Sequence, residues 1–490
     1  MASGDVTNSS AIIWSRANEN SIMNVEYSNH KNMQTPVLVT QPVNQSSDFT
    51  GHIKINNLNP DTLYFYRVWF SSNNSSSNNA SIHSNYINGT FKTAPSASSF
   101  KNSIDFVIGG DLGGQGFCRK ADTQYSIFSV MKSLAPDFFI FNGDQIYADT
   151  FCSEKGPADA AGWKNIKEFV PSINQKSSNW SDYNKDYEIY QKHWQYNRGD
   201  PHLQELLQNT SIYSQLDDHE VINDFGANWA HFIDSPLKTG YPILVKAGIN
   251  AFFNYSPMKI NNTSSIIDNN NSSNLNHIYR HFNWGKDLDL FLLDDRSYRS
   301  FNNLVDNNGN NKTLLGKEQL HWLENRLLNS NATWKIISTT IPVTIPNCYN
   351  STRGCDNWAT DSTTNKTYTY ERSEFLKFLD EKNIKNIVFV TTDVHFPANI
   401  IVNQDFNGDS DNLKFYELVS GPLSAIPLGV GTKEDPTINE RFLYNESKIF
   451  NFGHLTIRHD PLSNNVTLTT EIRDNNGLVR PNSNMTLIPN

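Results

Sequence analysis

At 490 residues the chain is long for a single core, so two or three domains are expected. Apolar residues make up only 37% and charged residues 18%, which leaves Asn, Ser and Thr to carry the polar surface around a core rich in aromatics (12%). The net charge of −10, with no Lys/Arg cluster, argues against a nucleic-acid-binding surface, and no apolar stretch approaches a bilayer-spanning length.

Residues 1–95 read as an all-β domain. Ser10–Arg16, Ile53–Ile55 and Tyr64–Phe70 alternate, and polar turns at Asn56–Asp61 and Ser71–Ala80 divide them. The Leu58-Asn-Pro-Asp-Thr-Leu-Tyr segment resembles the part of a fibronectin type III sandwich where a leucine and a tyrosine brace the turn into a strand. No acid, base or metal cluster assembles here, so packing, shielding or positioning is the expected role. Thr93-Ala-Pro-Ser-Ala-Ser-Ser reads as the linker.

From residue 104 onward, strands alternate with helices, which marks a second domain over 104–490. Ile104–Ile108 is a strand that ends at Gly109-Gly110-Asp111, and a helix over Gln124–Leu134 follows. Phe138–Phe141 is an unbroken apolar run, the pattern of a strand buried on both faces. It stops at Asn142-Gly143-Asp144, with Tyr147 shortly after. Phe151–Asp200 reads as long, aromatic and irregular, and 256–276 as a polar insertion. Trp163, Trp180, Trp194 and Trp229 either line a pocket or pack these loops, and packing is preferred.

Ile212–Leu216 is a strand that ends at Asp217-Asp218-His219-Glu220, and Leu288–Leu293 ends at Asp294-Asp295-Arg296. A helix over 316–328 precedes the strand Trp334–Thr339, and a helix over Glu371–Lys382 precedes Asn386–Thr391. That last strand ends at Thr392-Asp393-Val394-His395. Phe415–Ser420, Gly453–Arg458 and Val466–Arg473 complete the strands.

One Asn-Gly-Asp turn is commonplace. Acids and imidazoles at four strand ends would repel one another in an empty pocket. Bound cations relieve that repulsion, and carboxylates with imidazole suit iron, zinc, manganese or calcium.

The order of these blocks also resembles a known family. A strand ending in Asp, then Gly-Asp-x-x-Tyr, Asx-His-Glu and x-x-His resembles the calcineurin-like metallophosphoesterases. The Gly-Asp-x-x-Tyr variant is similar to that of the purple acid phosphatases, in which the tyrosine binds ferric iron. The closer resemblance is to the PhoD-like alkaline phosphatases. It rests on Ala2-Ser-Gly-Asp-Val-Thr with Ile13-Trp-Ser-Arg, Gly143-Asp-Gln-Ile-Tyr, Asp217-Asp-His-Glu-Val with Asn223, Leu293-Asp-Asp-Arg-Ser-Tyr-Arg, Leu315-Gly-Lys-Glu-Gln-Leu-His-Trp-Leu and Asp393-Val-His.

The resemblance implies an α+β/α/β fold, a two-sheet αββα sandwich preceded by the small β-sandwich. It implies hydrolysis of small phosphate esters by metal-activated water at a dinuclear or trinuclear centre of Fe3+ and Ca2+, with Zn2+ or Mn2+ as alternatives. Carried over by motif, Asp144 bridges two metals, Tyr147 binds the iron, and Asp111, Asp218, Asp393 and His395 complete the ligands. Asp111 stands where many relatives have cysteine, and Asp393 stands in place of a common first histidine. Both changes favour harder ions. His219 is the expected group for leaving-group protonation or phosphate contact, and Arg119, Asn223 and Arg296 are phosphate or supporting groups, although Arg296 also fits a buried ion pair.

Four cysteines allow three pairings, and the preferred one joins Cys348 to Cys355 and Cys118 to Cys152. A zinc site of four thiolates lacks the usual C-x2-C spacing. Disulfides suit an oxidising compartment, as do the Asn-x-Ser/Thr sequons at Asn8, Asn44, Asn88, Asn179, Asn209, Asn331, Asn365, Asn445 and Asn465. The N-terminal Met-Ala-Ser-Gly-Asp shows no signal core, yet an extracellular, cell-surface or periplasmic monomer is expected. The rival expectations are a secreted phospholipase or diesterase, and a catalytically silent surface-binding protein on the same scaffold.

Overall fold

The computed structural model describes residues 1–72, 83–158, 160–168, 170–174, 180–226, 240–259, 277–307, 312–348, 354–431 and 434–490. Trp229 and most of the polar insertion lie outside the described residues.

The N-terminal strands are β1 (Ala2–Gly4), β2 (Ser10–Arg16), β3 (Ser21–Ser28), β4 (Val37–Val43), β5 (Thr50–Asn56), β6 (Leu63–Ser71) and β7 (Ile87–Lys92). After them come β8 (Ser103–Gly109), α1 (Ile127–Ser133), β9 (Phe138–Asn142), α2 (Tyr183–Arg198), α3 (Pro201–Asn209), β10 (Ser211–Gln215) and α4 (Tyr241–Tyr255). The third group is β11 (Arg280–Trp284), β12 (Leu288–Leu292), α5 (Lys317–Leu328), β13 (Trp334–Ser338), α6 (Thr369–Glu381) and β14 (Ile387–Thr391). Last are β15 (Ala398–Gln404), β16 (Leu413–Val419), β17 (Glu440–Asn445), β18 (Asn451–His459), β19 (Val466–Asp474) and β20 (Met485–Leu487).

Burial follows the sequence pattern. Every residue of the unbroken runs β9 and β14 is buried, as expected of parallel strands covered on both faces, whereas β19 alternates strictly and covers one face only. A nine-stranded sheet runs β20-β19-β18-β8-β9-β10-β1-β2-β5 and a seven-stranded sheet runs β11-β12-β13-β14-β16-β15-β17. Phe106, Phe138, Leu290 and Ile336 belong to the core between the two sheets. Phe128, Leu206 and Phe252 of α1, α3 and α4 cover the outside of the first sheet, and Leu323 of α5 and Phe375 of α6 cover the second. The result is a helix–sheet–sheet–helix layering.

The N-terminal region differs from an independent domain. β4-β3-β6-β7 form a separate four-stranded sheet, but β1, β2 and β5 extend the nine-stranded sheet of the catalytic region. Gly4 of β1 pairs in parallel with Ile212 of β10, and the Trp14 indole donates to the Asn254 carbonyl at 2.7 Å. The tyrosine brace is present as bonding, because the Asn59 N–H donates to the Tyr64 hydroxyl at 2.9 Å.

The stretch expected to be irregular carries α2, with α3 directly after it, and α4 follows. Asp182 caps α2, and its buried face is Tyr187, Tyr190, His193, Trp194 and Asn197. That face has helical spacing but is built from aromatic and polar side chains, so an aliphatic period is absent. α1 is shorter than expected because Gln124 sits at a positive φ of 54°, which a helix does not continue through. Trp180 and Trp194 pack in the core and Trp163 packs against Phe117 and Phe450.

Candidate metal centre

Parallel strands β8, β9 and β10 of one sheet and β12, β13 and β14 of the other end at the same edge of the sandwich. The edge is stitched across the two sheets. The Asn142 amide reaches the carbonyls of Thr339 and Val390, and the Gln215 amide reaches those of Leu293 and Ser338. Thr392 Oγ1 donates back to the Asn142 carbonyl at 2.9 Å. The loops leaving these strands are therefore held in register, and they carry the acids.

Three overlapping groups of side chains offer ligand atoms within 4.8 Å of one another: Asp111, Asp144 and His395; Asp144, Asp218 and His219; Asp217, Asp218 and Asp393. Asp144 and Asp218 are each shared by two groups. Asp111, Asp144, Asp393 and His395 all adopt positive φ, at 59°, 48°, 71° and 58°. Left-handed backbone in non-glycine residues is disfavoured by sterics, and it clusters where function requires it. Gly143 (φ 77°) and Gly421 (φ 106°) are the neighbours that have to be glycine. A Cβ at Gly143 would stand 2.5 Å from that of Asp217, and one at Gly421 would stand 2.5 Å from Asp111 Oδ2.

Both carboxylate oxygens of Asp111 are buried without a hydrogen-bond partner, and so is Oδ2 of Asp217. Burial and then the Asp217 charge push the Asp111 carboxyl well above its usual range. Burial likewise raises Asp144 and Asp393, and Asp217 adds to the rise at both. Such carboxylates are costly to ionise without a cation beside them.

The bases are fixed from behind. His395 Nδ1 donates to the Ile426 carbonyl at 2.6 Å, which leaves the Nε2 lone pair facing the Tyr147 hydroxyl (3.0 Å) and Asp111 (3.9 Å). Burial holds His395 down at about 4, so it is neutral at physiological pH. His219 behaves oppositely. Burial lowers it, but Asp149, at 2.7 Å from Nδ1, together with Asp218 and Asp144, holds it well above its usual range. Tyr147 stacks on the His219 ring with centroids 4.1 Å apart.

Of the ten expected residues, seven converge here: Asp111, Asp144, Tyr147, Asp218, His219, Asp393 and His395. Arg296 joins them as an ion pair. It is fully buried, with Nε on Asp217 Oδ1 at 2.5 Å and Nη1 on Asp356 at 2.7 Å. The structure places Arg119 elsewhere. Its guanidinium donates to the carbonyls of Tyr196 and Gly199 at the end of α2, because that helix terminus needs a cation. Asn223 is an exposed residue whose backbone N–H donates to Asp149 at 3.0 Å.

Sequence reasoning missed Asp149, Glu220 and Asp356 and gave Asp217 no ligand role. Glu220 accepts the backbone N–H groups of Asp144, Gln145 and Asp217, so it ties two acidic loops together. Asp149 lies in the same stretch as Asp144 and Tyr147, which is the one signal that could have singled it out. Cys118 and Cys152 are joined, as are Cys348 and Cys355.

Residues 108–467 match the PhoD-like phosphatase family, and residues 1–95 match the PhoD-like phosphatase N-terminal domain. The chain belongs to the PhoD-like phosphatase family. It is 24% identical over 464 residues to alkaline phosphatase D of Bacillus subtilis (strain 168), covering 89% of this chain and 70% of that one. A solved structure of PhoD superposes with a TM-score of 0.68 at 21% identity, over 98% of this chain and 90% of the other, which shows the fold. As a PhoD-like phosphatase the chain is a metal-dependent phosphoric ester hydrolase, and the acid and histidine groups supply its candidate ligands.

Proposed function

We propose that the reaction occurs at the strand-end cluster, with Asp111, Asp144, Tyr147, Asp218, Asp393 and His395 holding ferric iron and calcium and with Asp217 as a further donor. The observation that carries this is Asp111, whose two buried oxygens have no partner within the protein. The donors fit such ions: carboxylates and a phenol suit hard cations, and a neutral imidazole presents a lone pair. Zn2+ or Mn2+ would fit the same set. Bound there, the ions would supply Lewis acidity and the means of acidifying a water at neutral pH.

The chain's own groups do the rest. Asp149 accepts the Nδ1–H of His219, which leaves Nε2 as the proton donor to the departing ester oxygen. Tyr147, stacked on the ring, limits its rotation. Burial of the cluster keeps bulk water from screening these charges. Residues 1–95 act as a fibronectin type III-like module that completes one sheet, and 104–490 carry the site.

The substrates are small phosphate esters and the protein is a monomer. The two disulfides suit an extracellular, cell-surface or periplasmic location. Sequons at Asn44, Asn88, Asn209, Asn331, Asn365, Asn445 and Asn465 are exposed, as glycosylation requires. Among the described residues no helix is long and apolar enough to cross a membrane.

The test is elemental analysis of the purified protein together with rates on an aryl phosphomonoester and its diester. Iron and calcium with monoester turnover is the expected result. Faster diester turnover would make it a diesterase, and metal-free, inactive protein would leave only the binding-protein reading.

A further inference from the structure

The Arg296 guanidinium is enclosed by acids. Besides Asp217 and Asp356, its Nη2 lies 3.4 Å from Asp393 and 3.7 Å from Asp218. Three of these four carboxylates form one of the potential ion-binding groups, and the fourth, Asp356, does not. Asp356 stands outside that group. It also accepts from Arg299 Nη1 at 3.0 Å and Asn302 Nδ2 at 2.8 Å, so it is an anchor fixed from three sides. A planar guanidinium gripped by Asp356 at one nitrogen presents its others in a fixed direction. That direction is toward Asp217, Asp218 and Asp393.

Asp356 directly follows Cys355, and the Cys348–Cys355 disulfide closes the loop that leads to it. At the other end of the same loop, Asn347 Nδ2 donates to Asp393 Oδ2 at 3.2 Å. The two ends are tied to each other, since the Asp356 N–H donates to the Asn347 carbonyl at 2.8 Å. The Cys355 N–H donates to the Lys366 carbonyl at 2.9 Å, which fixes the pair to the rest of the fold. One cross-linked loop base therefore reaches the acidic group along two routes.

We propose that this disulfide-closed loop base is a clamp on the acidic half of the metal centre. Asp356, through Arg296, and Asn347, through Asp393, are positioning residues that hold Asp217, Asp218 and Asp393 in ion-binding geometry. Neither touches the reacting atoms. Opening the disulfide frees the loop base, lets the guanidinium turn, and loosens the grip on the ion next to Asp218 and Asp393. This rests on the metal-centre assignment above.

The experiment follows metal retention rather than turnover. Metal-loaded wild type, Cys348→Ala/Cys355→Ala, Asn347→Ala and Asp356→Asn proteins are challenged with EDTA, and retained metal is measured over time by elemental analysis. Release roughly 10–100-fold faster than wild type is expected in each variant. Thermal melts are run with and without metal. In Asn347→Ala the metal-free Tm should stay near the wild-type value while the rise on adding metal shrinks.

Release curves that superimpose on wild type overturn the proposal. So does an equal fall of Tm with and without metal, which would mark the loop base as scaffold alone. Should Asp356→Asn fail to fold, Asn347→Ala, at a half-buried position, decides the matter. Wild-type protein that takes up no metal would instead overturn the metal-centre assignment.

Discussion

Two acidic clusters in this chain look alike in sequence and behave as opposites in the fold. One is the strand-end set around Asp144. The other is the loop Asp405-Phe-Asn-Gly-Asp-Ser-Asp, whose acids alternate much as calcium ligands do. In the loop every charge is answered locally. Asp405 Oδ1 accepts the N–H groups of Asn407 and Gly408, Oδ2 accepts that of Ser410, and Asp409 accepts that of Asp411. Those bonds hold the Asp405 carboxyl below its usual range. In the strand-end set burial does the reverse, and Asp111 has nothing to accept from. Acidic spacing alone therefore does not identify a site. Buried carboxylates without partners, on left-handed backbone, do.

The comparison can be broken most directly at Asp144. Asp144→Asn should lower turnover of an aryl phosphate by roughly 10³-fold or more, about 4 kcal/mol of barrier, while circular dichroism shows a folded protein. Activity within tenfold of wild type would mean the shared carboxylate is not catalytic. His219→Gln should cost about 10²-fold in kcat. Asp149→Asn should cost less, because it acts only through the imidazole, and a larger loss there than at His219 would reverse the assigned roles.

A third contrast is in the sign of the pH dependence. Burial lifts Glu220 to about 8 and Asp295 to about 7, so the folded, metal-free protein holds protons that the unfolded chain has already released. Their stabilisation is complete below their unfolded pKa values and is lost as pH rises toward 7 and 8. The Tm of metal-stripped protein should therefore fall by several degrees between about pH 5 and 8, and Glu220→Gln should flatten the slope. Asp405, with a lowered pKa, works the other way: its contribution is present at neutral pH and is lost on acidification. The smallest effect is expected at the loop. Asp405→Asn should leave kcat unchanged and move Tm by about a degree or two at neutral pH. A loss of activity there would erase the distinction between the clusters.

The parts that could be read from sequence share a physical character. Phe138–Phe141, Leu288–Leu292 and Ile387–Thr391 are apolar runs whose burial is dictated by composition, and the acids at their ends inherit positions from them. α2 could not be read so easily, because its buried face is made of Tyr, His, Trp and Asn. Asp356 and Glu220 are isolated acids that gain meaning only from partners distant in sequence. Arg119 misled because an arginine near a strand end is equally suited to closing a helix, and here it closes α2. The continuity of β1, β2 and β5 with the catalytic sheet was also hidden. Short alternating strands look the same whether they close a domain or extend a neighbour.

That continuity bears on how the chain is made. β1 hydrogen-bonds to β10, so Gly4 waits for Ile212 to emerge before its side of the sheet is satisfied. During synthesis the N-terminal strands leave the ribosome with an open edge, and roughly 200 residues must follow before it closes. Pairing so distant in sequence folds slowly. The nascent chain thus exposes a β edge for many seconds, and a chaperone or an export machine that keeps chains unfolded would find its binding site in those first strands.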